Sequence, residues 1–219
     1  MKSLGVFFIL LLFCEFATVH GQRDPALVVV FPERKKEGFY YLSDSVIASE
    51  IASFNFVGNI YGCRPSPPLI SYTLIEMSHS RVVFRHEDNQ LIIETGAFRP
   101  DRQRLQFYRR SGYLYKIDGR YFYGNDGKIP HRKILSINAI IKGDTLPLPT
   151  YAFVDIFEPN LCLRKFFPSR IDCHVAVYGS LDRKRVYVYM HIGQIPYLYE
   201  ITWIIRKGKY VGRVVDYAY

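Results

Sequence analysis

The sequence predicts an α+β fold in which one helix packs on a largely antiparallel β-sheet and the C-terminal half is rich in strands. Three observations predict it. Only one stretch shows helical periodicity behind a capping residue; about a dozen short segments alternate β-branched or aromatic residues with polar ones; and Gly, Asn, Asp and Pro separate those segments.

Lys2 begins the chain's charge, Leu4 to Cys14 form an unbroken apolar run, and Val19-His20-Gly21 puts small or compact residues where a signal peptidase reads. Those eleven apolar residues rise only about 16 Å as a helix, roughly half of a hydrocarbon core. Residues 1–21 therefore read as a cleavable signal peptide and the remainder as a secreted chain, with no stable membrane insertion expected. Ala26 to Phe31 is a strand or lead-in before the charged turn Arg34-Lys35-Lys36-Glu37.

The helix follows. Ser43 or Asp44 can accept from the free amides of its first turn, Val46, Ile47, Ile51 and Phe54 share a face, and Asn55 and Gly58 stop it. Strand patterns then run over residues 69–77, 81–85, 91–95, 105–109, 113–117, 120–123 and 133–138. In the second half they run over 151–157, 174–178, 185–191, 197–205 and 210–217. Glu87-Asp88-Asn89, Asp118-Gly119, Asn125-Asp126-Gly127, Lys207-Gly208 and residues 179–182 supply turns where Gly, Asn or Asp takes a positive φ. Pro65 to Pro68 and Leu146 to Thr150 read as loops. The second is the candidate seam between a module at 22–145 and a β-rich continuation at 146–219, whether separate or part of the same domain.

The chain has a net charge of +9, unchanged when Lys2 and Glu15 leave together with the signal peptide. The excess favours anionic partners and is equally compatible with a well-solvated surface. Removal of Cys14 leaves Cys63, Cys162 and Cys173, an odd number that allows at most one internal bridge. Cys162 with Cys173 is a local pairing; Cys63 with Cys173 would close a longer loop. With no CxxC and no paired His/Cys spacing, neither a metal nor a cofactor is expected. His79, His86, His131, His174 and His191 are scattered and read as surface or strand-face residues.

Phe39-Tyr40-Tyr41-Leu42-Ser43-Asp44-Ser45-Val46 opening a helix, Ser80-Arg81-Val82-Val83-Phe84, then Asp88-Asn89-Gln90-Leu91 and Thr95-Gly96-Ala97 resemble the guanyl-specific fungal ribonucleases. The resemblance implies one helix against an antiparallel sheet whose arginine strand binds phosphate, which makes Arg81 the phosphate ligand and 22–145 an RNase-like module. The family's acid histidine, immediately before Thr-Gly-Ala, is replaced here by Glu94, and Glu76 is the only carboxylate close before the arginine. RNA cleavage needs a base and an acid within reach of the reacting oxygens; Glu76, Glu94 and His86 are the candidates if the protein is active. The ribonuclease outline, lost catalytic residues, signal peptide, aromatic-basic composition and Tyr61-Gly62-Cys63 together resemble the RNase-like secreted effectors of powdery mildew fungi. Members of that family enter plant cells and bind host protein or RNA without catalysis.

Phe107-Tyr108-Arg109-Arg110 with Tyr113 and Tyr115, and Arg120-Tyr121-Phe122-Tyr123, are where an RNA-binding face would lie, because tyrosine and phenylalanine faces stack on unpaired bases while arginine reaches the backbone. Cross-strand packing is the competing role for those aromatics. The expectation is a secreted, catalytically inactive, RNase-like effector that binds host protein or RNA through a basic aromatic face. An active guanyl-type ribonuclease and a secreted structural or inhibitor-like β-protein are its rivals.

Overall fold

The computed structural model describes residues 37–61, 68–108, 111–124, 127–165, 170–193 and 198–218. The signal peptide, the Ala26–Phe31 lead-in, Cys63, Arg109, Arg110 and the Asn125-Asp126 turn lie outside the described residues. A 3₁₀ turn at Phe39–Tyr41 precedes α1 (Ser45–Ile51) and α2 (Phe56–Tyr61). The first strands are β1 (Leu69–Ser71), β2 (Thr73–Met77), β3 (Arg81–His86), β4 (Asn89–Ala97), β5 (Leu105–Phe107), β6 (Leu114–Ile117), β7 (Arg132–Ile141) and β8 (Asp144–Pro147). They are followed by β9 (Cys162–Lys165), β10 (Arg170–Cys173), β11 (Val175–Ser180), β12 (Arg185–Ile192), β13 (Tyr199–Arg206) and β14 (Lys209–Tyr217).

Antiparallel strands dominate. One five-stranded sheet has the order β1-β11-β12-β13-β14, a second the order β2-β3-β4-β7-β8, and β5-β6 and β9-β10 are two-stranded ribbons. The strand alternation is what builds the core. Val82, Phe84, Leu91, Ile93 and Ile137 from one sheet join Val177, Val188, Met190, Ile201 and Trp203 from the other in a single apolar cluster. Strands from both sides of residue 145 share it, and β1 pairs directly with β11.

The expected strand at 69–77 is two strands in two sheets. Tyr72, buried in the shared core and donating its N–H to the Val177 carbonyl at 2.9 Å, is where the chain crosses from one layer to the other. Lys207 and Gly208, at φ 50° and 68°, make the tight β13–β14 turn that their residue types suggested. Residues 151–157 form a 3₁₀ turn at Thr150–Ala152 and isolated bridges, not a strand. Ala152, Phe153, Ile156 and Phe157 are buried at helix-like spacing, so this segment closes one end of the core. Residues 120–123 likewise make only isolated bridges. The proposed seam is partly strand, since β8 pairs with β7 through Pro147.

α1 begins where expected: the Asp44 carboxylate accepts from the Val46 and Ile47 amides. It ends at Ile51, and Asn55 starts a second helix by accepting from the Gly58 N–H at 2.6 Å. Ile47, Ile51 and Ala52 cluster with Phe39 of the 3₁₀ turn and with Tyr187, Ile204 and Val214 of strands β12, β13 and β14. Arg81, which the resemblance placed on the helix-bearing sheet, opens β3 of the other one.

Candidate nucleic-acid interface

The β5–β6 ribbon has an apolar side and an aromatic, basic side. Leu105, Leu114 and Ile117 pack with Phe98, Phe122 and Phe157 in a small cluster of their own. The turn beyond β6 is held by Asp118, at φ 50°, whose carboxylate accepts the Arg104 N–H at 2.8 Å. Gly127 seats Tyr113: at φ 68° it lies so close under the ring that a Cβ would meet it at 2.2 Å.

Three half-buried tyrosines line up along the ribbon. The Tyr108 and Tyr115 ring centres are 4.4 Å apart and those of Tyr115 and Tyr121 6.3 Å. The Lys116 ammonium sits 4.3 Å from the Tyr121 ring centre and 5.8 Å from that of Tyr115, within cation–π range. Tyr108, Tyr115 and Tyr121, all singled out by sequence, are thus placed beside a partner that was not, Lys116.

Next to the ribbon is a cleft of about 510 Å³, bounded by residues 117–122, the start of β7 and the 150–157 segment. Its floor is apolar, from Phe98, Phe122, Phe153 and Phe157, all buried. Arg120, Lys133 and Gln103 stand at its edge, with Tyr121 on one wall and Tyr151, 67% exposed, on another. An apolar floor with a few convergent polar groups is the usual form of a small-molecule site, and this volume lies in the usual range. Asp155, also at the rim, is bound to Arg213 through both carboxylate oxygens, each at 2.6 Å. Arg120 and Lys133 form no ion pair among the described residues.

Charge supports the same location. Between residues 99 and 133 the chain carries ten Lys or Arg and three Asp, an excess of seven out of its net nine. That local count was available in the sequence and marks the region better than any single motif. What could not be read was that Lys133 and Tyr151, distant in sequence, line the cleft beside the ribbon.

Arg81 is elsewhere and is already paired. Its Nε donates to Glu76 at 3.0 Å and its Nη1 to Glu94 at 2.6 Å, so the guanidinium lies between two carboxylates on adjacent strands. Ser136 donates to the second oxygen of Glu94 at 3.0 Å. His86 closes the opposite end of β3, five residues and about 16 Å away along the strand, and lies 3.7 Å from Glu87. The structure therefore brings together Glu76, Arg81 and Glu94 and leaves His86 apart. Cys162 and Cys173 lie at disulfide distance, which selects the local pairing.

No protein family, curated protein or solved structure matches the chain.

Proposed function

We propose that the chain is an exported, non-enzymatic, effector-type protein that binds single-stranded RNA through the β5–β6 ribbon and its cleft. The observation that carries this reading is the coincidence of the Tyr108–Tyr115–Tyr121 row, Lys116 among its rings, and at the cleft Arg120 and Lys133, which form no ion pair among the described residues. Each base stacked on such a ring contributes about 1–3 kcal/mol irrespective of sequence, and the cations add backbone attraction. The non-enzymatic part rests on Arg81. A phosphate arriving there meets Glu76 and Glu94 as well as the guanidinium, and two negative charges oppose it.

The test is titration of a labelled single-stranded RNA at several salt concentrations. The logarithm of affinity should fall with the logarithm of salt at about −0.7 per phosphate contacted. Tyr115→Ala with Tyr121→Ala should weaken binding by about tenfold or more, and Arg120→Gln with Lys133→Gln should flatten the salt slope. A flat salt response in the unmodified protein would sink the reading.

A second reading, an active guanyl-type ribonuclease, is favoured by one observation: Glu76, Arg81 and Glu94 lie on three adjacent strands within hydrogen-bond reach. Guanine-directed cleavage that Arg81→Ala abolishes would establish it.

A further inference from the structure

The β9–β10 ribbon takes no part in the RNA reading and is built differently from the rest of the chain. Among the described residues its strands pair only with each other, and Cys162 and Cys173 face each other in register where it joins the fold. An isolated pair of strands is marginal in water, so the cross-link holds this one in a single shape. Leu163 is 55% exposed and Ile171 50%. Successive residues of a strand alternate faces and directly opposed residues share one. Leu163 therefore lies with Asp172 on one side of the ribbon, and Ile171 with Arg164 on the other. Arg164 and Arg170 are exposed, and residues 162–173 carry three cations against one carboxylate.

A flat protein surface covers one face of a ribbon and leaves the opposite apolar side chain in water. A lipid interface surrounds both faces, takes apolar side chains at the acyl boundary, and offers anionic headgroups to the cations. We infer that β9–β10 is a membrane-surface finger that places Leu163 and Ile171 in the interfacial layer of an anionic phospholipid bilayer while Arg164 and Arg170 contact its headgroups. The attachment is peripheral and stands independently of RNA binding.

Sedimentation of the purified protein with vesicles tests it, using phosphatidylcholine alone and phosphatidylcholine mixed with phosphatidylserine. Binding to the mixed vesicles is expected, weakened by salt, with little binding to the neutral ones. Leu163→Ser with Ile171→Ser should lower partitioning about tenfold or more, and Arg164→Gln with Arg170→Gln about fivefold for each cation removed. Both variants should keep the RNA affinity of the unmodified protein, which shows that they fold. Arg120→Gln with Lys133→Gln should leave lipid binding unchanged. Absence of binding to anionic vesicles, equal binding to neutral ones, or unaltered binding by the hairpin variants overturns the inference. So does an equal loss in the Arg120/Lys133 variant, which would assign attachment to overall charge. Should the serine variant not fold, the glutamine variant, at two exposed positions, carries the test.

Discussion

Three carboxylates fasten residues 37–61 to the sheet beneath them. Glu50, buried, accepts from Arg185 at 2.7 and 2.8 Å and from the Tyr187 hydroxyl. Glu200, with no exposed surface, accepts from the Phe56 and Val57 amides and from Tyr189. Asp216, opposite Glu200 in the ladder, takes the Phe39 N–H. Removing Glu50 leaves a buried hydroxyl without its acceptor and a nearly buried guanidinium with only Asp182, at 3.3 Å, as a carboxylate partner, so Glu50→Ala should lower unfolding stability by about 3 kcal/mol in urea titrations. Asp216 predicts a pH effect of known sign. Burial, with Glu200 nearby, pushes its carboxyl up to about 6 against the opposing Phe39 amide bond. Its stabilising contribution is therefore complete below the unfolded value near 3.8 and is lost as pH rises through about 6. His191 acts in the opposite sense: burial and then His174 lower its pKa, so its contribution is lost as pH falls below its unfolded value of 6.5. Asp216→Asn should thus remove the gain on acidification and leave the fall due to His191. Unfolding curves from pH 7 to 4 that run parallel for variant and parent would refute the assignment.

At the level of elements, the readable features were local ones. Asp44 at a helix start, the alternation in β3, β4 and β12, and Lys207-Gly208 at a turn each depend on residues within a few positions of one another. The misread elements depend on distant partners. Residues 151–157 have the composition of a strand, yet they make only isolated bridges, and Trp203 and Arg213 donate to the Ala152 carbonyl at 2.8 and 2.9 Å instead. β9 and β10 escaped notice because they lack apolar alternation; their pairing follows from the cysteines at their ends. In a ribbon without other strand partners, the bridge should act locally. Reducing Cys162–Cys173 should speed amide exchange across residues 162–173 while changing global stability by less than the roughly 3 kcal/mol expected for a loop of this length in a cooperative unit. A global loss of that full size would show the ribbon to be coupled to the core.

Across residues 37–218, the two sheets share a core that no local pattern revealed, because strands that meet in it are separated by a hundred residues or so, as Leu69 and Ser180 are. The candidate interface was legible in part for the same reason: Tyr115 and Arg120 lie within one basic stretch, whereas Tyr151 reaches the cleft only through the fold. A division at 145 would separate β1 from β11 and cut the apolar cluster that both sheets build. Trp203, the only tryptophan, is fully buried in that cluster and on a central strand, so its fluorescence reports on it directly. Unfolding followed by this fluorescence and by far-ultraviolet circular dichroism should give one coincident transition. Residues 22–145 expressed alone should not fold cooperatively, since Val82, Phe84, Leu91 and Ile93 would lose the Val177, Val188, Met190 and Ile201 surface they pack against. Two separate transitions, or a cooperative 22–145 fragment with dispersed amide resonances, would show that the shared core is not what holds these sheets together.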